Sequence, residues 1–184
     1  MTRPFTITIF GAESTGKTTL SRELARLLDG EWVYEFARPY LETTHQDVTP
    51  ESMQAIWLGQ AGLQRNARKS PRIYVVQDTD LFSTVGYWKL PHIQPVIGHC
   101  PQALINDAHS LRSDLYLIVQ SNIPFESDVL RYGGNTREST DEYWGDLCAQ
   151  YSLPYVVLDA SGRGDRINEA SQYIKERILA CVAL

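Results

Sequence analysis

The sequence is short of cysteine, of positive charge and of long apolar runs. Its three cysteines, Cys100, Cys148 and Cys181, are scattered and form no C-x-x-C pair. Such spacing suggests neither a zinc site nor a disulfide framework, and the reduced thiols of a cytoplasmic protein are expected. Lys and Arg number 17 against 22 Asp and Glu, for a net charge of −5. A broad nucleic-acid footprint needs the opposite sign, although a local arginine cluster can still bind phosphates. No apolar run approaches the length of a membrane span. The first residues, "MTRPFTITIF", lead straight into a strand without the layout of a signal peptide. Neither a nucleic-acid nor a membrane partner is therefore expected. Internal repeats and low-complexity segments are missing too, and nothing reports on oligomeric state. What remains is an ordinary globular composition, 43% hydrophobic over 184 residues, enough for a single α/β domain spanning 1–184.

The most informative stretch is "GAESTGKTTL", which follows the β-branched and aromatic run "FTITIF". Its spacing, Gly11-x4-Gly16-Lys17-Thr18, satisfies the Walker A pattern. Glycines let the chain curl so that successive N–H groups point inward at phosphate oxygens. The helix that follows adds its positive end. Lys17 can reach the β- and γ-phosphates, and the Thr18 hydroxyl can ligate Mg²⁺. The loop as a whole (Gly11, Ala12, Glu13, Ser14, Thr15, Gly16, Lys17, Thr18 and Thr19) is expected to hold ATP. Leu20, Leu24, Leu27 and Leu28 fall on one face of the expected helix.

Further strands are expected at 31–36, 72–78, 114–120 and 155–160, separated by helical patterns. Thr49-Pro50 reads as the start of a helix running to Lys69, with Met53, Ile56, Trp57, Ala61, Gln64 and Ala67 on its apolar side. Leu81, Phe82, Val85 and Trp88 mark another, and "PHIQPVIGHCP" reads as an irregular connection. Tyr143, Trp144, Leu147, Cys148 and Tyr151 mark a helix, as do Ile167, Ala170, Ile174 and Ile178. Five apolar strands alternating with helices imply a P-loop α/β fold, a five-stranded parallel sheet with helices on both faces. Ligands of such sheets collect at the carboxyl ends of the strands.

Polar residues stand at those ends. Asp78 closes an apolar strand, the Walker B arrangement, and can hold Mg²⁺ with Thr18; a surface aspartate is the alternative. Asp80 can accept from a sugar hydroxyl or cap the helix at Leu81. Glu35 can take the proton from an attacking hydroxyl, with Arg38 on the transferring phosphate; the alternative is an ordinary ion pair between the two. Tyr34 and Phe36 alternate on their strand, so either can face a pocket or the core. Arg131 and Arg137 lie in a polar, glycine-containing stretch at about 124–138 that reads as a lid closing over ATP, or as a solvated loop. Gly162, in "SGRGD", would let backbone approach an adenine ring, or serve only as a connection. The residues after the fourth strand, "VQSNIP", lack the Asn-Lys-x-Asp reader of a GTPase. The chain also has no room for the extra helical domain of a typical AAA motor.

Four segments, "GAESTGKTTL", "YEFARPYLE", "DTDLFSTVGYW" and "IPFESDVLR", together resemble the kinase domain of the NadR proteins, which are nicotinamide riboside kinases of the P-loop nucleoside and nucleotide kinase fold. The resemblance spans nearly the whole chain. It implies transfer of the ATP γ-phosphate to the ribose 5′-hydroxyl of nicotinamide riboside. The nucleotidyl-transferase and DNA-binding parts of those proteins do not fit in this chain. In the lid, Phe125 replaces the family's Trp, Ser127 its first Asp and Val129 its Gly, while Asp128 and Arg131 remain. Tyr34 stands where the family tends to have Trp, and can stack on a flat ring. Asn66 stands where another aromatic facing the substrate is expected. Two rival readings stay open. One is a kinase for another nucleoside or a nucleoside monophosphate, with Arg38 and Arg65 as a possible second phosphate pocket. The other is an ATP-binding regulatory module with little turnover.

Overall fold

A computed structural model describes residues 3–44, 47–122 and 141–182, with the side chains of the last helix described to residue 179. The first strand, β1 (Phe5–Phe10), leads through the glycine loop into α1 (Lys17–Leu27). A short β2 (Glu31–Val33) is followed by α2 (Ala37–Thr44) and α3 (Pro50–Ala67). Then come β3 (Tyr74–Asp78), α4 (Leu81–Trp88), a single turn α5 (Gln94–Ile97) and α6 (Gln102–Ser110). The chain closes with β4 (Leu115–Val119), α7 (Asp141–Gln150), β5 (Tyr155–Leu158) and α8 (Arg163–Val182). The strands lie in the order β2-β3-β1-β4-β5, and every pairing is parallel.

The alternation along β1 divides the core in two. Ile7 and Ile9 face α1 and α8, joined by Leu20, Leu24, Ala170 and Ile174. Phe10 faces the other way, into a cluster built by α3, α4, α6 and α7. There its ring meets Tyr116 edge-on at 5.1 Å and Trp144 at 5.6 Å. With apolar side chains on both faces, the strands read as unbroken hydrophobic runs.

Several boundaries differ from the sequence-based expectation. Strand β2 ends at Val33 rather than at 36, because the Phe36 amide is taken by the Gln60 side chain and the chain turns into α2. Neither α2 nor α6 is anticipated by the sequence patterns. In α6 only Leu104 and Ala108 are buried, too few apolar positions to announce a helix. On α1 the expected leucine face is wrong at one position: Leu27 is 52% exposed, and Ser21 and Ala25 are buried instead. The start at Thr49 has a physical basis. Its side chain accepts from the Ser52 amide, the Ser52 hydroxyl accepts from the Thr49 amide, and Pro50 opens α3.

Candidate functional site

The glycine loop sits at the carboxyl end of the central strand. Gly11 has φ +138°, and a Cβ there would lie 2.3 Å from the Val119 carbonyl oxygen of the neighbouring β4. Only glycine fits. Gly16, also left-handed at φ 85°, begins α1 without any side-chain cap, so the first helix amides are free of a cap from their own side chains. The Thr15 hydroxyl donates to the Ala12 carbonyl at 2.9 Å and closes the loop on itself. Lys17 arches back over it, donating from Nζ to Ala12 at 2.7 Å and Gly11 at 3.1 Å. Burial lowers the Lys17 pKa, while Glu35, Asp78 and Glu13 oppose that shift. The lysine therefore lies in the field of three carboxylates.

Asp78 is 2% exposed at the end of β3. Burial raises its pKa, and a hydrogen bond from the Thr18 side chain is the strongest opposing influence. Its Oδ1 is buried without a partner, as is Oε2 of Glu13. A hydroxyl beside a carboxylate with an orphaned oxygen is the hard, oxygen-rich donor set that Mg²⁺ takes. The residues present therefore fit that ion. Glu35, just beyond β2, also has its pKa raised by burial, with Lys17 the strongest opposing charge. Arg38 stands in the first turn of α2, within the fields of Lys17, Glu35 and Asp78. It meets Glu42 one turn on, at 3.8 Å.

The fate of the other expected residues is mixed. Asp80 is a structural cap. It is 1% exposed; Oδ1 accepts from the amides of Phe82 and Ser83, and Oδ2 accepts from the Tyr116 hydroxyl at 2.8 Å. With both oxygens engaged inside the core, a role on sugar hydroxyls is not what this geometry offers. Asn66 is exposed near the end of α3, whose following residue Arg68 reaches the Arg112 carbonyl before β4 begins. That is the opposite end of the sheet from the glycine loop, so Asn66 is not brought to the site. Tyr34 is 39% exposed, its ring tilted against Trp32 at 6.4 Å, on the α1 side where Trp32 donates to Ser21. Thr19 is exposed on α1, and Gly162 lies at the entry of α8, where its carbonyl accepts from the Arg166 amide at 2.9 Å. Arg131, Arg137, Phe125 and the lid at 124–138 fall outside the described residues. A cleft of about 480 Å³ beside α7 takes His99 and Cys100 from the proline-rich connection, together with Lys89, Tyr143 and Asp146. None of the expected site residues lines it.

A protein-family model described as an AAA domain matches residues 6–166. The chain belongs to that family. It is 26% identical over 186 residues to the trifunctional NAD biosynthesis/regulator protein NadR of Salmonella typhimurium, covering 95% of this chain and 43% of that protein. The Escherichia coli NadR is 25% identical with the same coverage. The chain thus spans less than half the length of the curated relatives it matches. Among solved structures, a NadR protein in complex with NR matches with a TM-score of 0.74 and 25% identity, over 95% of this chain and 50% of that one. A deoxyadenosine kinase from M. mycoides matches the fold with a TM-score of 0.69 at 19% identity, over 94% of this chain and 100% of that one. The resemblance drawn from the four motifs, and the P-loop nucleoside-kinase fold it implies, are borne out.

Two residues of this AAA-domain chain gather at the site without having been legible in the sequence. Tyr87 of α4 packs edge-on against Trp144 at 5.4 Å, and its pKa is raised by burial and then by the charges of Glu35 and Glu13. Its strand of evidence in the sequence was only an aromatic one residue before Trp88. Arg166 of α8 is 4% exposed and donates to the Thr15 carbonyl of the glycine loop. Nothing in "SGRGDRIN" distinguishes it from a surface arginine.

Proposed function

We propose that the chain is a cytoplasmic ATP-dependent kinase that transfers the γ-phosphate to the 5′-hydroxyl of nicotinamide riboside, giving nicotinamide mononucleotide. The observation that carries this reading is the convergence of Lys17, Glu35 and the Thr18–Asp78 pair at the carboxyl ends of β1, β2 and β3. The similarity to NadR, solved with NR, supports the choice of acceptor. Among the described residues no helix is long and apolar enough to cross a membrane.

The division of labour follows from chemistry. The loop amides and Lys17 hold the phosphates, exchanging the lysine's two carbonyl acceptors for phosphate oxygens. Thr18 and Asp78 would hold Mg²⁺, which when bound supplies charge neutralisation on the phosphate oxygens. The acceptor oxygen forms a bond to the γ-phosphorus as the bond to the ADP oxygen breaks, and Glu35 takes the hydroxyl proton. Arg38 offsets negative charge on the transferring group, together with Arg131 and Arg137 of the lid. A nucleoside monophosphate acceptor is less well served, because Arg65 is held in an exposed ion pair with Asp107 at 3.1 Å.

The test is ADP release from Mg-ATP with a panel of acceptors: nicotinamide riboside, common nucleosides, and their monophosphates. Stimulation by nicotinamide riboside, with nicotinamide mononucleotide as product, is expected. Stimulation by a different nucleoside alone would keep the kinase and change its acceptor. No stimulation by any of them, with ATP still bound, would favour a regulatory module.

A further inference from the structure

The chemistry above gives no reason for Arg166 to be buried. Its guanidinium lies in the first turn of α8 and donates from Nε to the Ala160 carbonyl at 2.7 Å. From Nη1 it donates to the Thr15 carbonyl at 2.6 Å, and from Nη2 to the Gln120 carbonyl at 3.0 Å and to the Asn122 side-chain oxygen. Each of these acceptors is neutral. Burial lowers the Arg166 pKa even though the charges of Glu169 and Asp141 oppose that shift, so the cation is held at a cost and a residue needed only to fill space would be apolar. The fork instead joins three separate segments: the glycine loop, the chain after β4 and the chain after β5. One turn further along α8, the Glu169 carboxylate accepts from the amides of Asp159 at 3.2 Å and Ala160 at 3.0 Å. The same helix therefore grips the chain after β5 by its carbonyls and by its amides.

The contact with Thr15 is the informative one. A peptide unit is planar and trans, so its carbonyl and its N–H point in opposite directions. Holding the Thr15 carbonyl toward α8 turns the N–H of Gly16 away from α8. Gly16 is a glycine at φ 85° and has no side-chain cap, so no capping side chain fixes this peptide from the helix side. A cation on the carbonyl also polarises the N–H on the other side of the unit.

We propose that Arg166 is a positioning residue for nucleotide binding: it locks the Thr15–Gly16 peptide with its N–H presented to a phosphate, and ties that peptide to the segments after β4 and β5. This rests on the nucleotide-binding reading given above. Arg166 touches no substrate. It acts through the loop.

The experiment titrates inorganic tripolyphosphate and Mg-ATP, by calorimetry, into the full chain and into the variants Arg166→Met and Arg166→Lys. It also measures KM for ATP and for the acceptor. Arg166→Met is expected to weaken both tripolyphosphate and ATP about tenfold, the scale of one misdirected hydrogen bond to a charged group, with the acceptor KM unchanged. Arg166→Lys keeps the charge but cannot hold three segments at once, and is expected to recover only part of the loss. Variants that melt cooperatively and bind tripolyphosphate as tightly as the parent would overturn the proposal and leave Arg166 a strut. Loss of ATP affinity with tripolyphosphate untouched would overturn it as well, moving the grip to the base side. Should the methionine variant not fold, the lysine variant decides by the same comparison. A parent chain that binds neither ligand would bring down the nucleotide-binding reading itself, a result distinguishable from all of these.

Discussion

The Tyr116 hydroxyl donates to Asp80 across 2.8 Å, inside a core where Asp80 is 1% exposed and Tyr116 is fully covered. The same hydroxyl accepts from the Ser113 amide at 2.9 Å, so one chain of hydrogen bonds runs from the start of β4 to the cap of α4. Burial pushes the Asp80 carboxyl up to about 7, against the pull of its hydrogen bonds. A carboxyl whose folded pKa lies above its unfolded value favours folding most when protonated. Its contribution is fully present below about pH 4 and is lost as pH rises toward 7. Asp80→Asn removes that titration. Its stability relative to the parent, read from urea melts, is expected to rise between pH 4 and pH 7; a flat difference would show that burial leaves the Asp80 pKa at its unfolded value.

Lys17→Ala should abolish most phosphoryl transfer, by about a hundredfold or more, while leaving the fold intact. The lysine is held by two carbonyls of its own loop and is penalised by burial, so its loss costs little stability. Steady-state rates alongside a thermal melt check both halves. A variant with the parent's rate would sink the role of the glycine loop in catalysis.

Glu35→Gln should lower turnover more than it lowers ATP affinity, since the role proposed for the carboxylate is to take the acceptor's proton rather than to hold the nucleotide. Because burial holds the Glu35 pKa above the ordinary carboxylate range, the parent's rate should climb with pH on its acid limb as the base ionises. That limb should be missing from the glutamine variant. A pH–rate profile unchanged by the substitution would remove Glu35 as the base.

Gly11→Ala tests the junction between β1 and β4. The added methyl would meet a backbone oxygen at 2.3 Å, and φ +138° is hostile to any side chain. A destabilisation of roughly 2 kcal/mol or more is expected in denaturant titration. A neutral result would mean that the loop shifts freely, contrary to the close contact with Val119.

The parts legible in the sequence were those whose cause is local. The Walker A spacing, the strand before it and the cap at Thr49 each depend on a few consecutive residues. Asp78 was legible because a buried strand ending in a carboxylate is a conflict that a ligand resolves. Asp80 was ambiguous for the same local reason: cap and ligand contact use the same oxygens, and only the Tyr116 hydroxyl, 36 residues away, settles how they are spent. Asn66 was misplaced because helical spacing fixes a face but not which end of the sheet it serves. Strand β2 stopped early because Gln60, on another helix, captures the Phe36 amide. Arg166 was invisible because three of its four acceptors are backbone carbonyl oxygens, which no side-chain pattern records, and the fourth, on Asn122, is 44 residues away.

The bond from Arg166 to Thr15 also has a chronology. The two residues are 151 positions apart. At roughly 5–20 residues per second, a ribosome delivers the arginine about 8 to 30 s after the threonine. On the role proposed for it, a newborn chain owns its glycine loop long before it can grip a nucleotide with full strength. The grip arrives only with α8, so tight nucleotide binding doubles as a signal that α8 has docked against the glycine loop.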